Sequence, residues 1–153
     1  MSNDAQQQPV FNIQKIYTKD ISFENPNAPD VFLAPPENQG IEFNFSVQNK
    51  QVGEEHWEVA LKISALAKNN DTDSVVFEIE VEHAAVFMIK HIPEEQMPVL
   101  LGVDCPSIIF PYTRQIISQL TVDGGFAPLL LDPFNFAAAF QASQQQENQS
   151  KPN

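Results

Sequence analysis

Glu78, Glu80 and Glu82 occupy alternate positions of one run, with Phe77, Ile79 and Val81 between and before them. In a strand this spacing sets three carboxylates on one face, about 7 Å apart in succession. Carboxylates so placed do acid–base chemistry when burial splits their pKa values, and attract cationic partners when they stay solvated. The alternation puts them on the wet face, and no cation interleaves them on that strand, so attraction of a basic partner is the expected chemistry. Other reactive types fall short of a catalytic pattern. Cys105 opens a helical run with Pro106 behind it, where a helix dipole lowers a thiol pKa; the plainer reading is a half-buried structural thiol. His56, His83 and His91 form no HxH or HExxH motif, and no second cysteine completes a thiolate metal site. His83 also falls on the opposite strand face from Glu80 and Glu82. Gly40, Gly53, Gly102 and the pair Gly124-Gly125 are too dispersed to cradle a phosphate. No enzyme activity, no cofactor and no metal are expected.

The elements that must hold these groups follow from periodicity. Phe11 and Ile13 alternate with polar neighbours and open a strand running towards Phe23. From Glu24 to Gly40 the prolines at 26, 29, 35 and 36 argue against regular structure, while Val31, Phe32 and Leu33 predict an ordered crossover packed over an apolar surface. Three strands follow: Ile41, Phe43, Phe45 and Val47; then Trp57, Val59, Leu61, Ile63 and Ala65; then Phe77, Ile79 and Val81. Hairpin turns are expected at Asn49–Gly53 and Lys68–Asp73, giving an antiparallel meander with one buried and one wet face. After Pro93 the period changes. Ile109, Tyr112, Ile116 and Leu120 mark one helix face, widened by Ile108 and Ile117. Asp104 or Ser107 is the expected N-cap, Pro111 a kink or the true start, and Gly124-Gly125 the end. A shorter helix is expected from about Phe134 to Gln145. The fold class is α+β, a four-stranded antiparallel sheet packed by a long helix and a shorter C-terminal helix. Residues 1–9 and 141–153, rich in Gln, Asn and Ser, are expected as flexible polar ends flanking one domain over 10–140.

Charge limits the partners. With 20 Asp and Glu against 8 Lys and Arg, the net charge is −12. The cation surplus needed for nucleic acid or an anionic membrane is missing, and a basic protein partner fits better. No apolar run approaches the ~20 residues of a membrane helix, so no membrane insertion is expected. The N-terminus has no secretory signal pattern, and the single cysteine suits a reducing compartment, so a cytoplasmic location is expected. Phenylalanine occurs 12 times, often beside loops and helix ends; most fill the core, and a minority suit an apolar groove beneath the 24–40 loop.

Several blocks carry a family likeness. Ile16-Tyr17-Thr18-Lys19-Asp20-Ile21-Ser22-Phe23-Glu24 and Pro26-Asn27-Ala28-Pro29 resemble the start of the SecB family of protein-export chaperones. Leu101-Gly102, Cys105-Pro106, Ile109-Phe110-Pro111-Tyr112 and Arg114 resemble its helical signature, and Pro128, Leu131, Pro133, Asn135-Phe136 and Phe140 its C-terminal segment. The likeness covers about residues 10–140. It implies an ATP-independent holdase that keeps secretory precursors unfolded and delivers them to the SecA translocase motor, as a homotetramer built as a dimer of dimers. It also implies that Asp20, Glu24 and Glu80 dock the motor. Glu78 stands where the family often has an apolar residue, which makes the patch more acidic. Phe23, Val31, Phe32, Trp57 and Phe136 are the expected client-groove residues. Two other readings compete: a small acidic adaptor delivering tagged proteins to another machine such as a protease, and a carboxylate hydrolase motivated by the Glu triplet alone.

Overall fold

The computed structural model describes residues 7–150. Most of the polar segment expected over 1–9, and the end of the tail at 151–153, lie outside the described residues. The chain runs through β1 (Val10–Glu24), a one-turn helix α1 (Asp30–Leu33), β2 (Gln39–Gly53), β3 (His56–Asn69) and β4 (Val75–Lys90). It then enters the long helix α2 (Cys105–Asp123) and ends in α3 (Phe136–Ser150). The four strands form one antiparallel sheet in the order β1-β4-β3-β2. β2, β3 and β4 make the expected meander, and the long 25–38 connection carries β1 across to the far side of β4, a Greek-key arrangement.

Alternation in β3 and β4 sends Val59, Leu61, Ile63, Ala65 and Ala67, with Phe77, Ile79, Val81, Ala85, Phe87 and Ile89, to the face that α2 covers. Each large side chain buried there contributes about 1.5–3 kcal/mol. β1 reaches the same face differently. Its apolar residues Phe11, Ile13, Ile16, Ile21 and Phe23 do not keep a period of two, and register shifts between Ile13 and Lys15 and between Thr18 and Asp20 absorb the mismatch. Each bulge inserts one residue and resets which side chains point inward. The second one turns Asp20 to the outer face, opposite Glu82.

Several expectations need correction. Asn49–Gly53 is not a turn but the end of β2, paired onto β3 as far as Gly53 opposite His56, and the chain reverses at Glu54-Glu55. β4 continues well past Val81 to Lys90, because its outer positions change from Glu to Ala84, Val86 and Met88 and the polar alternation that marks a strand fades. The proline-rich crossover does contain regular structure, the single turn α1. The long helix has no N-cap at Asp104 or Ser107: helical winding begins at Glu94–Gln96 and passes through a π-helical stretch, Leu100–Asp104, before α2. Pro106 has no N–H for the carbonyl of Gly102, so a widened turn precedes it. Pro111 lies inside α2 and is not its start.

The buried stripe of α2 also differs from the expected one. Cys105, Ile109, Phe110, Thr113, Ile117 and Thr121 face inward, whereas Tyr112 and Ile108 are 51% and 38% exposed. Two threonines substitute for apolar residues because their hydroxyls are bonded. Thr113 Oγ1 meets His83 Nδ1 at 2.9 Å, and Thr121 Oγ1 accepts the Leu129 N–H at 2.9 Å while donating to the Ser118 carbonyl. α3 continues helical through the Gln-rich segment to Ser150, past the expected end near Gln145.

Candidate functional site

The outer face of the sheet, turned away from α2, is built by register. Glu24 pairs with Glu78, Ser22 with Glu80 and Asp20 with Glu82 across β1 and β4. On the other side of β4, Glu78, Glu80 and Glu82 stand opposite Leu66, Ser64 and Lys62 of β3, and Glu42 of β2 lies opposite Leu66. Paired residues share a face, so Asp20, Glu24, Glu42, Glu78, Glu80 and Glu82 form one acidic zone. Its centre is not pure negative charge. The Lys62 ammonium lies 2.7 Å from Glu80 Oε1, with both side chains about half exposed, and the hydrogen bond and charge of Glu80, then Glu82 and Asp20, raise its pKa. Absence of a cation on β4 itself therefore does not describe the face; β3 supplies one.

The opposite end of the same face is a different environment. Lys50 of β2 stands opposite Glu58 by register and the bulge residue Lys19 of β1 reaches the same carboxylate, while Lys15 of β1 lies on this face opposite Val86. Tyr17 donates its hydroxyl to Glu58 Oε2, Lys19 Nζ lies 3.1 Å from Oε1 and Lys50 Nζ 4.0 Å. The Tyr17 bond, opposed by burial and aided by Lys19, holds the Glu58 carboxyl below its ordinary pKa. Burial first, and then Glu58, push the Tyr17 phenol up to about 12. At the end of β4, Lys90 pairs with Glu55 at 3.1 Å. These contacts tie three strands together and leave this end balanced in charge rather than acidic.

The apolar surfaces open at the rims of the covered side. Beneath the crossover, Val31, Phe32, Pro35, Pro36, Val76 and Phe126 line a cleft of about 420 Å³. A chain of rings runs from it: Phe32 to Phe126 at 5.2 Å, Phe126 to Phe77 at 5.1 Å, and Phe77 to Phe23 at 6.1 Å between centroids. The two glycines that end α2 make this approach possible. A Cβ on Gly124 would stand 2.3 Å from the Phe23 ring, and one on Gly125, which has φ +93°, 2.8 Å from Phe32. Only glycine meets both the spacing and the left-handed backbone at 125.

A second groove of about 760 Å³ lies between β2, the helical lead-in and α3. Phe45, Val47, Met97, Leu101, Phe136 and Phe140 contribute to its walls. Phe45 stacks on Phe134 at 4.7 Å and meets Phe136 edge-on at 5.2 Å, and Phe140 of α3 lies against Gly102.

The five aromatic and aliphatic residues singled out for a client groove are thus distributed over several places. Val31 and Phe32 line the crossover cleft, with Phe23 joined to it through the ring chain. Phe136 is buried, 5% exposed, in the second groove. Trp57 lies on the covered face opposite Phe87, packed partly against the core, and lines neither opening. Glu42, Lys62 and Phe126 are the site residues that sequence reasoning passed over. The alternation of Ile41, Glu42 and Phe43 already marked Glu42 as outward, whereas the other two needed strand register and loop packing.

Cys105 carries no reactive thiolate. It is fully buried, and burial, with Asp104 beside it, pushes its thiol up to about 12; the winding that continues upstream leaves no helix N-terminus to lower it. Burial lowers the His83 pKa. Among the described residues no group of three or more His, Cys, Asp and Glu is placed to hold a metal ion, and no helix is long and apolar enough to cross a membrane.

One side of the sheet is thus charged and the rims of the other open into apolar clefts, a fold with separate polar and apolar surfaces. The family model for the preprotein translocase subunit SecB matches residues 4–147. The protein-export protein SecB of Desulfotalea psychrophila is 49% identical over 145 residues, covering 95% of this chain and 93% of its own length. That of Magnetococcus marinus is 43% identical over 139 residues, covering 91% and 87%. This chain belongs to the SecB family. In fold it is similar to a Mycobacterium tuberculosis SecB-like chaperone solved in complex with an antitoxin ChAD peptide, with a TM-score of 0.67, 18% identity, and coverage of 85% of this chain and 93% of the other.

Proposed function

We propose that this protein is an ATP-independent export chaperone that holds unfolded secretory precursors and hands them to the SecA motor. The observation that carries the proposal is the placement of two unlike surfaces on opposite sides of one sheet. The outer zone of Asp20, Glu24, Glu78 and Glu80 suits a basic segment of a motor protein. The clefts suit apolar stretches that only an unfolded chain exposes, so binding them opposes folding by mass action. Glu78 faces Glu24 in register and strengthens the field there. Phe32 and Val31, with Phe23 behind them, form the client cleft; Phe136 is part of the floor of the second groove.

A homotetramer, a dimer of dimers, is part of the proposal. Ile108, Tyr112 and Val122 are exposed on α2 at spacings that share one helix face, away from the buried stripe. Covering that stripe against other copies brings several client clefts into one particle, and weak contacts with one long precursor gain avidity. A cytoplasmic location follows from the role. The adaptor reading is not favoured, since the curated relatives are protein-export proteins.

The purified protein is expected to slow the refolding of a secretory precursor without ATP, when added at one assembly per precursor. No slowing at that ratio sinks the chaperone reading. Light scattering is expected to give a mass near four subunits, and a monomer mass would remove the tetramer.

A further inference from the structure

We infer that Lys62 is a built-in competitor that lowers the affinity of the acidic face for its basic partner. The inference rests on the docking proposed for that face. Lys62 stands in the middle of the acidic zone. It lies directly opposite Glu82 in register, yet its ammonium reaches diagonally to Glu80 Oε1 at 2.7 Å. Asp20 and Glu82 add to the field that holds it charged. Glu80, central among the carboxylates placed to receive a partner cation, is therefore already bonded to a cation of this chain, and Asp20 and Glu82 lie within that cation's field. A partner ammonium or guanidinium arriving at Glu80 must displace Lys62 or share the carboxylate with it, against the repulsion of two like charges.

The other ion-paired lysines of the outer face do not play this part. Lys19 and Lys50 gather around Glu58, Lys90 is paired with Glu55, and Lys68 reaches only Asp73 at 4.0 Å at the rim. Lys62 alone among these ion-paired lysines bonds a residue of the acidic zone. The geometry also suits a contact that must be released. The Lys62–Glu80 pair is half exposed, and an exposed pair exchanges partners at small cost. An acidic face without Lys62 would hold a basic partner more tightly and for longer, and residence time carries most affinity differences at one interface.

The test titrates purified SecA onto the full-length protein by fluorescence anisotropy, comparing wild type with Lys62→Gln, Lys62→Ser, Glu80→Lys and Lys50→Gln. Both Lys62 variants are expected to bind SecA about two- to fivefold more tightly at low salt, the range of a single exposed ion pair. That gain is expected to shrink as salt rises to ~0.3 M, where the screening length falls below the ~8 Å of physiological ionic strength. Lys50→Gln, at the balanced end of the face, is expected to leave the affinity unchanged. Thermal melts of each variant check that the fold is retained, and the two Lys62 replacements guard against an effect of one new side chain. Unchanged or weaker binding by both Lys62 variants, while Glu80→Lys weakens it, overturns the inference and leaves the docking face in place. No effect from Glu80→Lys and from either Lys62 variant overturns the docking reading and this inference with it.

Discussion

On the outer face of the sheet, charged side chains from all four strands meet through backbone register, each still in contact with water. At the rim of the covered face, rings from β1, the crossover, β4 and the end of α2 meet through packing, and each excludes water from the next. Phe23, Phe77, Phe126 and Phe32 form one continuous contact there, closed on one side by Gly124 and Gly125. The acidic zone has no such dependence, because its members repel rather than touch, apart from Lys62 and Glu80. The difference teaches that the acidic zone can change in charge without altering the fold, whereas the cleft cannot change in shape without a cost in stability.

Four measurements break or sharpen that contrast. Phe77→Ala removes the middle of the ring chain at a position only 3% exposed. It is expected to cost about 3–5 kcal/mol in urea unfolding, the cavity cost of a large buried ring. A loss below about 1 kcal/mol would show the ring chain to be dispensable. Gly124→Ala drives a methyl group to 2.3 Å from the Phe23 ring and is expected to cost about 1–3 kcal/mol in the same assay. Client capture should fall with it, because Phe23 must swing away from the cleft.

Glu80→Lys leaves the packing alone, so stability is expected to stay within about 0.5 kcal/mol of wild type. SecA docking is expected to weaken about tenfold at low salt, with client capture retained. Equal loss of both activities would mean a folding defect and erase the division of surfaces. The smallest effect concerns His83, which is buried between β4 and α2 with Thr113 as its bonded partner. Burial sets its folded pKa below the ordinary 6.5. The unfolded chain therefore takes up the proton more readily. Stability is full above pH 6.5 and falls as the pH drops from there through the folded pKa. Acidification below that point is expected to lower the stability, and His83→Gln should flatten this dependence. A wild-type denaturation midpoint that does not move over that interval would show His83 to be free to charge in place.

How far the residues alone led depends on whether a signal was local. Ile41 to Val47, Trp57 to Ala65 and Phe77 to Val81 each show a period of two, and all three proved to be strands; the second and third have the expected buried face, whereas the first, at the sheet edge, is only partly covered and leaves Phe43 41% exposed. The Glu78–Glu82 face was legible for the same reason: one strand contains all of it. β1 was legible only as a beginning, since two bulges break its period. The helix stripe was misplaced by Tyr112 and Ile108, because apolar character alone does not tell a core face from a face left open, and bonded threonines imitate core residues.

The sequence by itself determined the element types, the α+β class, the excess of negative charge and, through its motif blocks, membership of the SecB family. Period, proline and glycine placement and composition are properties of neighbouring residues, and physics reads them without knowing the fold. Only the tertiary structure decided that Asp20 faces Glu82, that Glu42 and Lys62 enter the acidic zone, and that Phe32 and Phe23 share a ring chain while Trp57 does not. Those facts depend on register, on a bulge at Lys19 and on two glycines far along the chain, and strand pairing or close packing is required to bring such distant residues together.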